Sequence, residues 1–215
     1  MKLIDYIVEN IDFILQKAGE HIVLAGIGVL LACLVGIPIG FMITGNKRAS
    51  GIVVNIANIF QTIPSLALFA FAMPLFGIGK PPAVFALFLY ALLPIIKNTL
   101  IGINNVDPAT IQAARGMGMS KTQIMFKVEV PLAISVIMGG VRIATVTAIG
   151  IATIAAMIGA GGLGSLIFTG ISMMDYEMIL AGAIFSAALA LLADFLLGLV
   201  EKKLTSKGIV KKESI

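Results

Sequence analysis

Tryptophan is absent from this 215-residue sequence, and cysteine and histidine occur once each, as Cys33 and His21. A single cysteine excludes an internal disulfide and a cysteine-rich metal site. His21 has no second histidine or cysteine at ligand spacing, so its place beside Glu20 at the edge of an apolar segment indicates an interfacial residue rather than a metal ligand. The motif Gly-x-x-x-x-Gly-Lys-Ser/Thr is also missing, so the chain does not hydrolyse ATP by itself. Nucleophiles, bases and metal ligands do not cluster at one depth, which argues against a membrane enzyme.

Charged residues are scarce, at 12% of the chain, whereas hydrophobic residues make up 59% and the mean hydropathy is +1.08. These values lie outside the range of soluble globular domains and place the chain in a membrane. The net charge of +4 alone would suit a nucleic-acid partner. The basic residues, however, sit in short clusters at the ends of apolar segments, which is typical of topology signals and not of a nucleic-acid groove.

Five apolar segments are long enough to cross a hydrocarbon layer, which takes about 20 helical residues. They cover residues 22 to 44, 52 to 77, 82 to 104, 132 to 160 and 178 to 200. Pro64 should kink the second segment. The fourth contains 29 residues and ends in a glycine-rich run, so tilt, protrusion or a break before Gly159 is expected. The sequence predicts an all-α polytopic membrane protein with about five transmembrane helices.

The residues that flank these segments divide the chain into three predicted parts. Acidic side chains interrupt the first 16 residues, which excludes a signal peptide, and apolar residues recur there at helical spacing. Residues 1 to 21 are therefore predicted to form an amphipathic helix at the membrane interface. Residues 22 to 200 form the transmembrane domain, and residues 201 to 215 form a basic tail.

Basic residues mark one side of the predicted spans, because Lys and Arg are enriched in cytoplasmic loops. Ten of them share that side: Lys47, Arg48, Arg115, Lys121, Lys127, Lys202, Lys203, Lys207, Lys211 and Lys212. The opposite side carries only Lys2, Lys17 and Lys80, together with Asp5, Glu9, Asp12, Glu20, Asp175 and Glu177. The N-terminus is predicted to lie outside and the C-terminus in the cytoplasm.

The loop over residues 105 to 131 reads as two short helices between two spans. Asp107 can cap a helix that has Pro108 in its first turn, and Gly116 and Gly118 bracket the place where this helix should end. A capping box of Ser120 and Gln123 starts the second helix. From these signals alone, an ordinary membrane-surface loop and a docking element remain equally open.

The spacing of Gln112-Ala113-Ala114, Gly118 and Val128-x-Val130-Pro131 resembles the Glu-Ala-Ala motif of ABC importer permeases. In that family the motif forms coupling helices that dock into a groove on the ATPase subunit. The resemblance implies a coupling role for Asp107, Gln112, Ala113, Ala114, Arg115, Gly118, Ser120, Lys121 and Pro131. This chain departs from the motif by Gln112 in place of Glu, which puts an ionic contact at that position in doubt.

The resemblance extends over about 150 residues. The stretches NIFQTIPSLALFAFAMPLFGIG (58 to 79), PAVFALFLYALLPIIKNTLIGI (82 to 103) and IGAGGLGSLIF (158 to 168) are similar to permeases of bacterial osmoprotectant importers, which carry glycine betaine, carnitine or choline. The alternative is the permease of a methionine-type or other small-solute ABC importer, and methionine-type permeases also have five spans. An autonomous channel or secondary carrier is a distant one, because neither needs a cytoplasmic docking helix pair.

The resemblance also implies the setting of the chain. It would be a multi-pass subunit of the bacterial cytoplasmic membrane that works by alternating access, with ATP and Mg bound by a partner ATPase dimer. Capture of a quaternary ammonium normally uses aromatic faces, and this chain has only three tyrosines and no tryptophan, so capture is assigned to an extracellular solute-binding protein. Five helices are few for a complete pathway, so a second permease subunit is expected.

Polar and charged residues inside the spans are the remaining candidates. Asn58, Gln61, Thr62 and Ser65 recur at helical spacing and either line a pathway or bond to other helices. Arg142 and Asp194 are predicted to form an intramembrane ion pair, and Lys97 lies near the cytoplasmic end, where its side chain can snorkel. Gly159, Gly161, Gly162 and Gly164 lack the features of a phosphate cradle, and the resemblance places them in an outer gate that faces the binding protein.

Overall fold

The computed structural model describes residues 2 to 205, which form helices and loops without a β-strand among them. The α-helices of this range are α1 Lys2–Glu9, α2 Ile11–Ile43, α3 Lys47–Thr62, α4 Ser65–Phe76, α5 Lys80–Asn104, α6 Pro108–Gly116, α7 Lys121–Ile124, α8 Val130–Ile154, α9 Gly164–Met173 and α10 Tyr176–Leu204. A π-helical turn, Met125–Glu129, precedes α8, and a 3-10 turn, Ala155–Ile158, follows it. The all-α prediction is confirmed.

Four stretches are long and apolar enough to cross a membrane unbroken: α2, α5, α10 and the run from Lys121 to Ile158 that contains α8. The predicted span over residues 52 to 77 is instead a pair of helices, α3 and α4, which are bent by 99° relative to each other. The prediction of about five spans is therefore confirmed, with one of the five broken.

The break between α3 and α4 lies at Ile63 and Pro64. Proline lacks an N–H and disfavours helical backbone in the residue before it, and Ile63 is accordingly extended, with φ −72° and ψ 128°. The Tyr90 hydroxyl of α5 donates a hydrogen bond to the Ile63 carbonyl, an acceptor that the break has freed. The kink predicted at Pro64 is thus a near right-angled break supported by α5.

The helix predicted over residues 1 to 21 has the wrong boundary. It ends at Glu9, and α2 begins at Ile11 and continues without interruption through residue 21 into the first span. The apolar face of α1 contacts protein, because Leu3, Tyr6 and Ile7 pack against a buried cluster that α2, α9 and α10 share. Burial, and secondly the Asp175 carboxylate, raise the pKa of the Tyr6 phenol, so this group stays uncharged. A position at the membrane interface stays a prediction.

The last two spans end differently from each other. Of the three alternatives expected for the fourth span, the structure shows the break, since α8 gives way to the 3-10 turn before Gly159, which adopts a left-handed φ of 77°. Helix α10 runs to Leu204, past the predicted tail boundary at residue 201. Lys207, Lys211 and Lys212, which contributed to the predicted orientation, lie outside the described residues.

Small residues bring α2 and α5 into close contact. Four buried small residues recur at every fourth position of α2: Gly28, Ala32, Gly36 and Gly40. They form one ridge of the helix, a pattern that allows helix backbones to approach each other in membranes. A Cβ atom on Gly28 would lie only 2.8 Å from Leu87 Cβ, and one on Gly40 only 2.6 Å from Thr99 Cγ2. The contact with α5 therefore leaves no room for a side chain at Gly28 or Gly40.

An adjacent face of α5 packs as closely on α8. A Cβ atom on Gly140 would lie 2.6 Å from Asn98 Cβ, and one on Gly102 would lie 3.1 Å from the Ala133 carbonyl oxygen. Alanines continue this contact, since Ala144, Ala148 and Ala152 of α8 are buried in the main apolar core. Helix α5 is therefore the centre of the bundle, because both α2 and α8 pack closely on it.

We predict that Gly28→Val lowers the thermal stability of the folded protein, because the added side chain overpacks the contact with Leu87 at a cost of about 1 to 3 kcal/mol. Gly26→Val is the matched control, since a Cβ on Gly26 meets nothing within 4 Å. The measurement is the thermal midpoint for loss of monodisperse protein by size-exclusion chromatography. Equal midpoints for the two variants would contradict the packing assigned to the ridge.

Candidate functional site

The first helix of the 105 to 131 loop is capped as its sequence predicts. The Asp107 carboxylate accepts a hydrogen bond from the Ala109 N–H at 2.9 Å, and Pro108 occupies the first helical position, where no N–H is needed. The helix ends at Gly116, and the chain then turns through Gly118, which has a left-handed φ of 78°. Helix α6 is thus defined at both ends by local interactions.

The second helix of the loop begins with the predicted capping box. The Gln123 N–H donates to the Ser120 hydroxyl at 3.3 Å, and the Ser120 N–H donates to the Gln123 side-chain oxygen at 2.8 Å. Helices α6 and α7 therefore form a hairpin around the turn at Gly118. The end of the bundle that carries this hairpin is called the loop end below, and the opposite end is called the glycine end.

The hairpin divides its residues between an inner and an outer surface. Ala114 and Ile124 are buried, with 2% and 4% of their surface exposed, and they hold the hairpin together. The remaining predicted coupling residues of the two helices and their turn are exposed: Gln112, Ala113, Arg115, Gly118, Ser120 and Lys121. The outer surface therefore combines small residues with positive charge.

A π-helical turn joins the hairpin to α8 without a loop. Pro131 has no N–H for the carbonyl four residues earlier, and its ring would crowd that carbonyl. The wider turn at Met125–Glu129 relieves this conflict, since the Val130 N–H bonds to the Met125 carbonyl, five residues back. The run from α7 to the end of α8 is consequently one continuous helical stretch.

The polar residues predicted to share one face of the second span are separated by its break. Asn58, Gln61 and Thr62 lie exposed on α3, whereas Ser65 begins α4 beyond the 99° bend. A single polar face is therefore wrong. The Thr62 hydroxyl bonds within its own helix, to the Ile59 carbonyl at 2.7 Å. A role of these residues in lining a pathway stays a prediction.

Gln61 is the member of this group that lines a groove. Its amide nitrogen donates to the Tyr90 carbonyl of α5 at 3.0 Å, which attaches α3 to the central helix. The groove has a volume of about 550 Å³ and lies between α3, α5 and α8. Lys97, Asn98 and Thr147 supply further polar side chains to its wall. Its size falls within the range of ligand pockets, about 300 to 1,000 Å³.

Arg142 of α8 and Asp194 of α10, which sequence analysis paired, are in contact. The guanidinium meets the carboxylate through two parallel hydrogen bonds, Nε to Oδ1 and Nη2 to Oδ2, each 2.9 Å long. A bidentate pair of this kind fixes orientation as well as distance. The pair is partly open to a groove, since 33% of the Arg142 side chain and 42% of the Asp194 side chain are exposed.

Glu201 and Ser135 extend this pair into a network. Glu201 accepts one hydrogen bond from Arg142 Nη1 at 3.0 Å and another from the Ser135 hydroxyl at 2.6 Å. Glu201 lies seven residues after Asp194, and Ser135 lies seven before Arg142. Two helical turns bring each pair onto one face of its helix, and antiparallel packing of α8 and α10 aligns the pairs. Sequence analysis missed both residues, although this matched spacing was available as a signal.

The glycine-rich run after α8 is a tight turn. Gly159, Gly161 and Gly162 have left-handed φ angles of 77°, 84° and 75°, which side-chain-bearing residues rarely adopt. Gly164 is required for space, because a Cβ atom there would lie 1.9 Å from the Thr153 carbonyl oxygen. The run is thus closely packed at Gly164, while its role as a gate stays a prediction.

Two adjacent polar residues of α2 hold this turn in place. The Glu20 carboxylate accepts from the Gly162 N–H at 3.0 Å, and His21 Nδ1 accepts from the Leu163 N–H at 3.2 Å. Since Nδ1 accepts, the His21 Nε2 carries the proton that bonds the Ile149 carbonyl at 2.9 Å, and the imidazole is neutral. Glu20 and His21 together are called the clasp below.

The clasp corrects the expectation that His21 is an interfacial residue. None of its surface is exposed, because the ring reaches from α2 to the glycine turn and to α8. The sequence did contain a signal of these contacts, because the polar pair Glu20 and His21 lies between apolar helical positions. The backbone groups that need this pair lie about 130 to 140 residues away in sequence, as the bond separations of 128 and 142 residues show. Local spacing therefore did not reveal them.

Comparison with known proteins matches residues 36–206 to the family described as "Binding-protein-dependent transport system inner membrane component". The carnitine transport permease protein OpuCD of Listeria monocytogenes is 47% identical over 204 residues, covering 94% of this chain and 92% of that protein. The glycine betaine/carnitine/choline permease OpuCB of Bacillus subtilis is 41% identical, covering 97% and 96%. The osmoprotectant import permease OsmW of Salmonella typhimurium is 42% identical, covering 97% and 100%.

Solved structures show the same fold at lower identity. The chain matches an inward-facing structure of the methionine ABC transporter MetNI with a TM-score of 0.83 and 21% identity, covering 92% of this chain and 99% of that one. An amino acid ABC transporter crystallised with histidines matches with a TM-score of 0.75 and 21% identity, covering 92% and 97%. The expected methionine-permease-like architecture is therefore confirmed.

We predict that Arg142→Asp and Asp194→Arg each reduce solute uptake, and that the exchange of both charges restores it. Arg142→Asp should be the more severe variant, because it gathers three carboxylates where Arg142 now separates Asp194 from Glu201. Uptake is compared at equal amounts of folded protein in the membrane. If the exchange variant takes up as little solute as Arg142→Asp alone, the ion pair is not what uptake requires.

Proposed function

Because the chain belongs to the family of binding-protein-dependent transport system inner membrane components, we propose that it carries glycine betaine, carnitine or choline into the cell as the permease subunit of an ATP-driven importer. The main support is identity of 41–47% along nearly the full length of relatives that are named for carnitine, for glycine betaine, carnitine and choline, or for osmoprotectant import. The chain itself is a multi-pass protein of the bacterial cytoplasmic membrane.

The α6–α7 hairpin is the proposed docking site for a cytoplasmic ATPase dimer, which would bind ATP and Mg. Three observations support this role: the hairpin is capped at both of its helix starts, its outer surface is exposed, and a continuous helical stretch runs from it into α8. The small side chain of Ala113 leaves that surface open to close approach. Arg115 and Lys121 give it positive charge, so an acidic rim on the ATPase groove is expected.

Transmission from the hairpin reaches two spans together. Displacement of α7 moves α8 through the π-helical turn, and the network of Ser135, Arg142, Asp194 and Glu201 carries α10 with it. We infer that these two helices tilt as a unit when the ATPase subunits close. Tilting would open the path toward the glycine end and close it toward the loop end, which is alternating access.

The proposed orientation places the loop end in the cytoplasm and the glycine end outside, in agreement with the side on which the basic residues collect. The glycine turn and the clasp would then face a loaded solute-binding protein. A second permease subunit, either a related chain or a second copy, would complete the pathway. Helix α10 leaves apolar surface for such a partner, since only Ala181 and Gly182 are buried along its length.

Uptake of labelled glycine betaine, carnitine, choline and methionine by cells with and without this chain, at low and high osmolarity, tests the proposal. We expect loss of uptake for one or more of the three osmoprotectants when the chain is absent, with methionine uptake unchanged. Selective loss of methionine uptake would contradict the proposal and favour a methionine-type importer. Unchanged uptake of all four solutes would also contradict it.

A further inference from the structure

The groove between α3, α5 and α8 contains the positive charge of Lys97, and the groove wall has no acidic residue to neutralise it. Among residues 2 to 205, the Lys97 ammonium takes part in neither a hydrogen bond nor an ion pair, and no aspartate or glutamate lines the groove. Lys97 is exposed within an apolar helix, seven residues or about 10 Å before the end of α5. Ionisable groups at such a depth normally have a partner.

The other polar groups of this groove have their amide nitrogens in use. Gln61 donates to the Tyr90 carbonyl at 3.0 Å, and Asn98 donates to the Pro94 carbonyl at 2.8 Å. Their side-chain oxygens remain as acceptors, so Lys97 is the strong donor that the wall presents. A ligand that suits this arrangement brings an anionic oxygen, because a carboxylate accepts hydrogen bonds from an ammonium with charge assistance.

A second groove of about 550 Å³ adjoins the first one across α8, and Ile143 and Thr147 belong to the walls of both. This second groove contains Arg142 and Asp194, and Glu201 also bonds to the same guanidinium. Two carboxylates around one guanidinium leave an excess of negative charge. The exposed stripe of α8 thus has a positive groove on one side and a negative network on the other, an arrangement complementary to a zwitterion.

We propose that Lys97 binds the carboxylate of the transported solute, and that the path through this permease is therefore selective for carboxylate-bearing quaternary ammonium compounds over choline. The inference rests on the proposed function and narrows its substrate class. The cationic group of the solute faces the Asp194 side of α8. Choline has no carboxylate to place near Lys97, and its positive charge is repelled there. The lining residues are side chains of three different helices, so movement of α8 changes the geometry of the site.

Equilibrium binding to the assembled importer in lipid nanodiscs, without binding protein and without nucleotide, tests this assignment with labelled glycine betaine and labelled choline. Lys97→Met should weaken betaine binding by about tenfold or more, the size expected for loss of a charged hydrogen bond. Lys97→Arg should keep it within about threefold, because the charge is retained. Lys80→Met is the matched control, since Lys80 lies at the other end of α5 and outside this groove. Choline binding should not weaken in any variant.

Three results would overturn the assignment: no saturable betaine binding by the parent importer, betaine binding by Lys97→Met equal to that of the parent, or equal weakening of betaine and choline. The last result would mean that Lys97 supports the structure or snorkels. Lys97→Gln replaces the methionine variant if that variant does not assemble. An importer that takes up betaine but fails this test leaves the proposed function intact, whereas an importer that takes up no osmoprotectant removes the proposed function itself.

Discussion

The structure depends on the close approach of three helices, α2, α5 and α8. Lipid gives helices no hydrophobic reason to associate, so packing of backbones through small residues must supply the attraction. The glycine ridge of α2 meets one face of α5, and Gly102 and Gly140 bring α8 against an adjacent face. Every other element is placed relative to this three-helix core. The broken α3–α4 pair bonds to α5 through Gln61 and Tyr90.

Two polar groups, the clasp and the Arg142 network, attach further elements to this core. At the glycine end, the clasp attaches α2 to the turn after α8. Nearer the loop end, the Arg142 network attaches α8 to α10. The two groups join different elements of the bundle. Each attachment can therefore change without breaking the other. This division suits a protein whose two ends open in turn.

Local signals predicted much of this structure. Apolar length predicted the spans, and capping residues such as Asp107 and Ser120 defined the α6–α7 hairpin, because their partners lie within three residues. Arg142 and Asp194 were paired because charges are rare in apolar segments. What sequence analysis missed depends on three-dimensional contacts: the burial of His21, the addition of Glu201 and Ser135, and the 99° break that separates Ser65 from Gln61. A proline predicts a disturbed helix, but only the support that α5 gives decides how far it bends.

The central claim is that the α6–α7 hairpin docks on an ATPase, and photo-cross-linking in membranes tests it most directly. Cys33 is replaced by alanine, and a single cysteine at the exposed Ala113 is labelled with benzophenone maleimide. A cysteine at Met174, 82% exposed in the loop before α10, is the control. The account predicts an adduct between the chain and the ATPase subunit from position 113 and none from position 174. Absence of that adduct from position 113, or equal yields from both positions, would contradict it.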